Sequence, residues 1–181
     1  MKQQHDSQTA VIEIGRRRFV QLAALAGGAS LFAVTSLLLE ARAAAQTDAL
    51  LLSCMDFRLM DDIERYMSGR GLRDKYDHVV LAGASLGAVT DKYPAWSKTF
   101  WEHLDIAIKL HHIHTVIVLD HRDCGAYKVI LGAERTKDPT IEKDTHATQL
   151  KKLKTQIAQK HPKLKVETLL MALDGKVEVI S

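Results

Sequence analysis

Two short strings of residues in this chain contain the side chains best suited to hold a metal ion. They are Cys54-Met55-Asp56-Phe57-Arg58 and His121-Arg122-Asp123-Cys124-Gly125, and each follows an aliphatic run. Two thiolates and one imidazole balance the charge of Zn²⁺ and disfavour magnesium or calcium. Cys54, His121 and Cys124 therefore predict a zinc site with three protein ligands. The fourth position is left open to water, which is typical of catalysis.

Asp56 and Arg58 stand two and four residues after the first cysteine. A carboxylate beside the metal can accept a hydrogen bond from a zinc-bound hydroxide, and a guanidinium can bind that carboxylate through two parallel hydrogen bonds. The pair predicts an ionised Asp56 that orients the hydroxide, with Arg58 holding it. Two alternatives stay open: an ordinary ion pair in a loop, and Asp56 as a fourth zinc ligand that closes the site.

Cys124 is expected to open a helix that runs through Tyr127. Free backbone N–H groups and the positive end of the helix dipole lower the pKa of a thiol at such a position. Gly125 beside it allows close approach of the backbone. The two cysteines could instead form a Cys54–Cys124 disulfide, which would be the ordinary expectation if the protein is exported. A disulfide alone gives no reason for the histidine, aspartate and arginine beside them.

The zinc ligands need elements that bring them together. Strand patterns occur at 49–53, 77–82 and 115–120, helical patterns at 60–66, 96–112, 127–131 and 145–160, and a hairpin pattern at 166–173 and 176–180 around Asp174-Gly175. Residues 83–87 look like a turn-prone segment. The alternation predicts an α/β domain with a mainly parallel sheet. Ligands of such sheets bind beyond the carboxyl ends of the strands, which is where Cys54 and His121 fall.

The other histidines are weaker candidates for metal binding. His111, His112 and His114 suggest a second metal site, but at a helix end their positions scatter around the axis. His103 and His146 are expected to be surface or helix residues.

The first 45 residues are typical of an export signal. Arg16-Arg17-Arg18-Phe19, an uncharged run at 21–39 and the small residues of 41–45 predict a twin-arginine signal, cleaved after Ala43 or Ala45. Residues 46–181 then form one zinc domain, exported to the periplasm already folded, with its thiolates protected by the metal. An uncleaved signal would be a membrane anchor, and membrane contact is expected in that case alone.

Charge excludes one class of partner. Five of the 25 basic and three of the 22 acidic residues lie in the predicted signal, so the rest of the chain is nearly balanced. No nucleic-acid partner is expected from that balance.

These two strings of residues, each at the end of a predicted strand, make the chain resemble the β-class carbonic anhydrases. The C-x-D-x-R and H-x-x-C-G strings match that family's zinc and dyad motifs, and the similarity extends from about Leu50 to Ile180. The resemblance implies a largely parallel four-stranded sheet plus a C-terminal strand, flanked by helices. It also implies zinc, an Asp56–Arg58 dyad, carbon dioxide and bicarbonate as substrates, and a homodimer or higher homo-oligomer.

The chain departs from the family in three ways, one of which is the predicted twin-arginine export, an uncommon arrangement in that family. The family usually carries a basic residue, Asn, Ala and Gly after the second strand, whereas this chain has Val79-Val80-Leu81-Ala82-Gly83-Ala84-Ser85. Gly83, Ala84, Ser85 and Gly125 are therefore expected to line a pocket that lacks a polar contribution. Cleavage near Ala45 would also leave no N-terminal helical arm.

We expect a zinc-dependent carbonic anhydrase. The alternatives are hydrolysis of carbonyl sulfide or carbon disulfide, which suits a more apolar pocket, and a noncatalytic zinc-binding protein.

Overall fold

Five strands form one sheet in the computed structural model, which describes residues 47–181. The strands are β1 (Ala49–Ser53), β2 (Tyr76–Val80), β3 (Thr115–His121), β4 (Lys165–Met171) and β5 (Val177–Val179). Their order is β2-β1-β3-β4-β5. The pairs β1–β2, β1–β3 and β3–β4 are parallel, and β5 runs antiparallel to β4.

Helices cover both faces of the sheet. They are α1 (Met60–Gly69), α2 (Ser85–Val89), α3 (Pro94–His111), α4 (Gly125–Leu131) and α5 (Pro139–Lys160), with short 3-10 helices at Phe57–Leu59 and Ala133–Thr136. The leucines of β1 alternate between the two resulting cores, because successive side chains of a strand point to opposite faces. Leu50 and Leu52 pack in the core beneath α2, α3 and α5, and Leu51 packs in the core beneath α1.

The predicted fold class is confirmed: an α/β domain, mostly parallel, with a C-terminal antiparallel strand and flanking helices. Several boundaries differ from those predicted. The second strand ends at Val80 rather than residue 82, and the helix predicted from residue 145 begins at Pro139. Asp138 caps it by accepting hydrogen bonds from the N–H groups of Thr140 and Ile141. An Asp-Pro pair is a helix start signal that the apolar periodicity does not contain.

One local prediction was wrong. Residues 83–87 are not a plain turn, because a tight turn at Gly83 and Ala84 leads directly into α2, whose residues are all buried. His146, predicted to be a surface or helix residue, is a helix residue but does not lie at the surface. It lies on α5 with none of its surface exposed, since its ring packs against Tyr127 at a centroid distance of 3.9 Å.

The predicted twin-arginine signal, its cleavage after Ala43 or Ala45 and the membrane-anchor alternative lie outside the described residues. Within residues 47–181 no helix is both long and apolar enough to cross a membrane.

Candidate metal centre

The three predicted ligands meet at one edge of the sheet. Cys54 follows the last residue of β1, His121 ends the neighbouring β3, and Cys124 precedes the first residue of α4. All three side chains are buried, and their ligand atoms lie within 4.8 Å of one another. In the described part of the chain no other group of three His, Cys, Asp or Glu residues does this, and the three histidines at and after the end of α3 are not such a group. His111 pairs instead with Asp77.

The imidazole of His121 is oriented by its own neighbour. Its Nδ1 lies 2.8 Å from the carbonyl oxygen of Arg122, so Nδ1–H donates to that carbonyl. The proton on Nδ1 leaves a lone pair on Nε2, which is buried and has no hydrogen-bond partner. A buried polar atom without a partner is costly. A metal ion coordinated by Nε2 would remove that cost, so the residues present fit a metal ligand set.

The two cysteines are both free, with their sulfurs 3.9 Å apart, so the disulfide alternative is not what the structure contains. The pKa of the Cys54 thiol is lowered to about 4, mainly by its hydrogen bond with Cys124 and in part by the Gly83 N–H, which lies 3.2 Å from the Cys54 sulfur. The same partner and burial raise the pKa of Cys124. The predicted lowering at Cys124 was therefore wrong. The backbone N–H groups of α4 do lower it, but a second thiol sharing one proton outweighs them.

Asp56 and Arg58 form the expected two-pronged contact. Arg58 Nε donates to Asp56 Oδ1 at 2.9 Å and Nη2 donates to Oδ2 at 2.8 Å. The Arg58 hydrogen bonds lower the pKa of Asp56 to about 2. Asp56 Oδ2 lies 3.8 Å from His121 Nε2, so the carboxylate faces the cluster while the guanidinium engages both of its oxygens.

Asp123 holds the other side of the guanidinium, which the sequence analysis missed. Arg58 Nη1 donates to Asp123 Oδ2 at 2.9 Å, and Nη2 donates to the Asp123 carbonyl at 3.1 Å. Lys128 forms an ion pair with the same carboxylate. Asp123 adopts φ 57°, and its N–H donates to Glu142 Oε1 at 2.6 Å. An acid two residues after the histidine was the available signal, but nothing in the sequence shows that Arg58 reaches it.

The four predicted pocket residues do not act alike. Gly83 contacts the Cys54 sulfur through its N–H, and Ala84 is buried beside it. Ser85 turns away from the cluster, because its hydroxyl donates to Asp120 Oδ2 at 2.7 Å inside the core. Gly125 is exposed at the start of α4.

Comparisons with known proteins show which family this chain matches. Residues 44–181 match the model of a family described as "Putative carbonic anhydrase". An uncharacterized protein of Rickettsia conorii is 45% identical over 135 residues, which are 75% of this chain and 73% of that protein.

Two solved structures share the fold. The β-carbonic anhydrase CafA of Aspergillus fumigatus has a TM-score of 0.50 at 15% identity, over 97% of this chain and 91% of that one. The β-carbonic anhydrase CcaA has a TM-score of 0.50 at 17% identity, over 93% of this chain and 95% of that one. The family match extends over most of the chain, and a sheet edge carrying two cysteines and a histidine is found within it. The protein therefore belongs to this carbonic anhydrase family.

Proposed function

We propose that this protein is a zinc-dependent enzyme that interconverts carbon dioxide and bicarbonate. The observation that carries the proposal is a buried Cys54–His121–Cys124 cluster whose free His121 Nε2 faces a carboxylate held ionised by Arg58. Membership of the carbonic anhydrase family supports the same reaction.

Zinc is the ion that this donor set favours. Two sulfurs and one imidazole nitrogen suit Zn²⁺, and three protein ligands leave one tetrahedral position for a reactant. When bound, zinc supplies a Lewis acid that makes hydroxide available near neutral pH. Cys54, His121 and Cys124 would hold it.

Asp56 is the residue proposed to orient the nucleophile. Its pKa of about 2 keeps it ionised across the physiological range, so Oδ2 can accept a hydrogen bond from a hydroxyl group but cannot donate one. Arg58, held in turn by Asp123, fixes the direction of that acceptor. Both oxygens of Asp56 are engaged by Arg58, which favours an open site over one that Asp56 closes as a fourth ligand.

The segment after β2 supports a second candidate, hydrolysis of carbonyl sulfide or carbon disulfide. Ser85 was the polar side chain of this segment expected to reach the pocket, and its hydroxyl instead donates to Asp120. Gly83 and Ala84 offer no polar side chain in its place. A pocket with fewer hydrogen-bond donors suits linear, weakly polar electrophiles.

Stopped-flow hydration of carbon dioxide tests the proposal. The zinc-loaded protein is assayed from about pH 6.5 to 9, beside Cys124→Ser as a variant that lacks one ligand. We expect activity that rises with pH and is lost in Cys124→Ser. Hydrogen sulfide release from carbonyl sulfide or carbon disulfide, without carbon dioxide hydration, would favour the second candidate. A fully zinc-loaded protein with neither activity would leave a noncatalytic zinc-binding protein.

We also propose that the protein forms a homo-oligomer through the surface beside the metal centre. Met55 and Phe57, which flank Asp56, are 64% and 86% exposed. Large apolar side chains that are exposed close together are typical of an interface rather than of free surface.

Light scattering after size exclusion tests this proposal. It should give at least a dimer for wild type, and Phe57→Ser should shift the protein toward monomer. The exposed Leu110 near the end of α3 provides a matched control as Leu110→Ser, because it lies just before the start of β3, at the sheet edge opposite the metal centre. A monomeric wild-type protein would contradict the proposal.

The N-terminal sequence supports a further proposal, export through the twin-arginine route with cleavage near Ala43 or Ala45. Cell fractionation of the full chain in bacteria should find a processed form in the periplasm. Changing Arg16 and Arg17 to lysine should leave unprocessed precursor in the cytoplasm. Unchanged processing of that variant would overturn the proposal.

A further inference from the structure

A second buried polar cluster lies behind the metal centre, and none of its members is a candidate ligand. Asp120, with 1% of its surface exposed, precedes His121 on β3. Its Oδ1 accepts a hydrogen bond from the Ser85 N–H at 2.9 Å. Its Oδ2 accepts from the Ser85 hydroxyl at 2.7 Å, the Tyr127 hydroxyl at 2.6 Å and His146 Nδ1 at 2.8 Å. One carboxylate therefore joins β3, α2, α4 and α5.

Such a cluster is not explained by stability alone. Burying a carboxylate is costly, and replacing a buried ionic group with apolar side chains of similar volume is often neutral or stabilising. Unlike an apolar side chain, a carboxylate can position its neighbours, because each of its four hydrogen bonds fixes the position of a donor.

Two of the residues that donate hydrogen bonds to Asp120 belong to segments next to the cysteine sulfurs. Ser85 comes two residues after Gly83, whose N–H donates to the Cys54 sulfur. Tyr127 lies on α4, three residues after Cys124.

The backbone of Ala84 is strained, which indicates that neighbouring interactions hold this turn in place. Ala84 has φ 39° and ψ −102°, a conformation that a residue with a Cβ rarely adopts. Strain of this kind is costly and persists only where the surroundings impose it. The next residue, Ser85, is bound to Asp120 through both its N–H and its hydroxyl. Asp120 thus fixes the turn that aims the Gly83 N–H at the sulfur.

We propose that Asp120 is a positioning residue for the metal centre. Through Ser85 it holds the Gly83 N–H on the Cys54 sulfur, and through Tyr127 it holds the helix that begins beside Cys124. The inference rests on the metal site of the proposed function, but it does not depend on which substrate that site converts. Residues that orient metal ligands from behind typically change metal affinity by about 10- to 100-fold when they are replaced.

The test compares Ser85→Ala and Asp120→Asn with wild type. Ser85→Ala removes one hydrogen bond and leaves the Ser85 N–H in place, and Asp120→Asn keeps the size of the side chain but removes its charge. Thr168→Val is the matched control, since it also deletes a buried hydroxyl, one that donates to the Ile180 carbonyl. The readouts are the zinc dissociation constant by chelator competition, the thiolate-to-cobalt absorption of the Co²⁺ protein, and hydrogen exchange of the Gly83 amide without metal.

We expect Ser85→Ala to weaken zinc binding by about tenfold or more, to shift the cobalt spectrum and to speed exchange of the Gly83 amide. Thr168→Val should lower thermal stability and leave all three readouts unchanged. If Asp120→Asn does not fold, Ser85→Ala decides the question. Wild-type readouts in a folded Ser85→Ala protein would overturn the inference. If wild type itself binds no zinc, the proposed function fails, and the Gly83 exchange rate still tests the positioning role.

Discussion

Arg58 is the side chain on which the orientation of Asp56 depends. It donates two hydrogen bonds to the Asp56 carboxylate and two to Asp123. A lysine keeps the positive charge but cannot form this planar fork. We therefore expect Arg58→Lys to lower kcat/KM for carbon dioxide hydration by about tenfold or more with zinc fully retained. Arg65→Lys, in an exposed ion pair with Asp62 on α1, should leave the rate unchanged.

The same substitution should move the pKa of Asp56. The Arg58 hydrogen bonds lower that pKa to about 2, so Arg58→Lys should raise it toward the ordinary value of about 3.9. A lowered pKa stabilises the native protein above the unfolded value, and that contribution is lost as the pH falls through about 2. Carboxyl NMR titration measures the shift directly. An unchanged Asp56 pKa in Arg58→Lys would mean that other groups keep the carboxylate ionised.

Residue types and spacing predict the inner site but not what surrounds it. Cys54 and His121 could be placed together because each ends a strand, and the carboxyl ends of parallel neighbours share one edge. Asp120 and His146 could not be paired this way. They lie 26 residues apart on a strand and a helix, and no local periodicity specifies which helix position meets a strand end. His146 was accordingly expected only to be a surface or helix residue, and its burial against Tyr127 was not predicted.

At the scale of elements, the N-terminus of α5 supports the turn that contains two metal ligands. Asp138 caps the helix through the N–H groups of Thr140 and Ile141, and Glu142 in its first turn accepts the Asp123 N–H. Asp138→Ala should therefore lower the free energy of unfolding by about 1 kcal/mol, measured by urea denaturation. Asp144→Ala, an exposed position within the same helix, should change it by less than about 0.5 kcal/mol. Equal losses in both variants would show that the cap contributes nothing specific.

The short helix α2 depends on a glycine that allows close packing. A Cβ on Gly87 would lie 2.6 Å from the Ala82 carbonyl oxygen and 3.2 Å from Leu81 Cβ. Gly87→Ala should destabilise the protein by about 1–3 kcal/mol, because backbone must move to admit the methyl group. Gly69→Ala is the matched control: it also changes a helical glycine, but its Cβ meets nothing within 4 Å. It should be neutral or stabilising by about 0.4–1 kcal/mol in thermal unfolding. A Gly87→Ala protein as stable as wild type would contradict this packing.

The helix α2 also shows why sequence patterns predict long elements more reliably than short ones. Five residues span little more than one turn, too few for a helical period, and glycine, alanine and serine favour a turn when judged locally. Burial of the whole segment and the Asp120 hydrogen bonds to Ser85 decide the outcome instead. Both are tertiary interactions.

At the scale of the whole molecule, the candidate metal centre links segments that are distant in the chain. Its ligands come from β1, β3 and the start of α4, so the unfolded chain offers no preformed site. The core residues on either side of the sheet belong to separate clusters, one beneath α1 and one beneath α2, α3 and α5. A bound ion at the sheet edge would therefore favour the one arrangement in which β1, β3 and α4 are correctly placed.

Zinc removal should consequently destabilise the protein. A ligand that binds the native state alone adds about 2.7 kcal/mol of stability at a free concentration 100 times its dissociation constant. For a domain of this size that corresponds to a rise in Tm on the order of 10 °C. Calorimetry of the full chain with zinc and with excess chelator measures the difference, and Cys124→Ser should lose most of it. Arg65→Lys, which is exposed on α1, should keep it. An identical Tm with and without zinc in wild type would mean that the three side chains do not hold the ion, whatever the reaction rate shows.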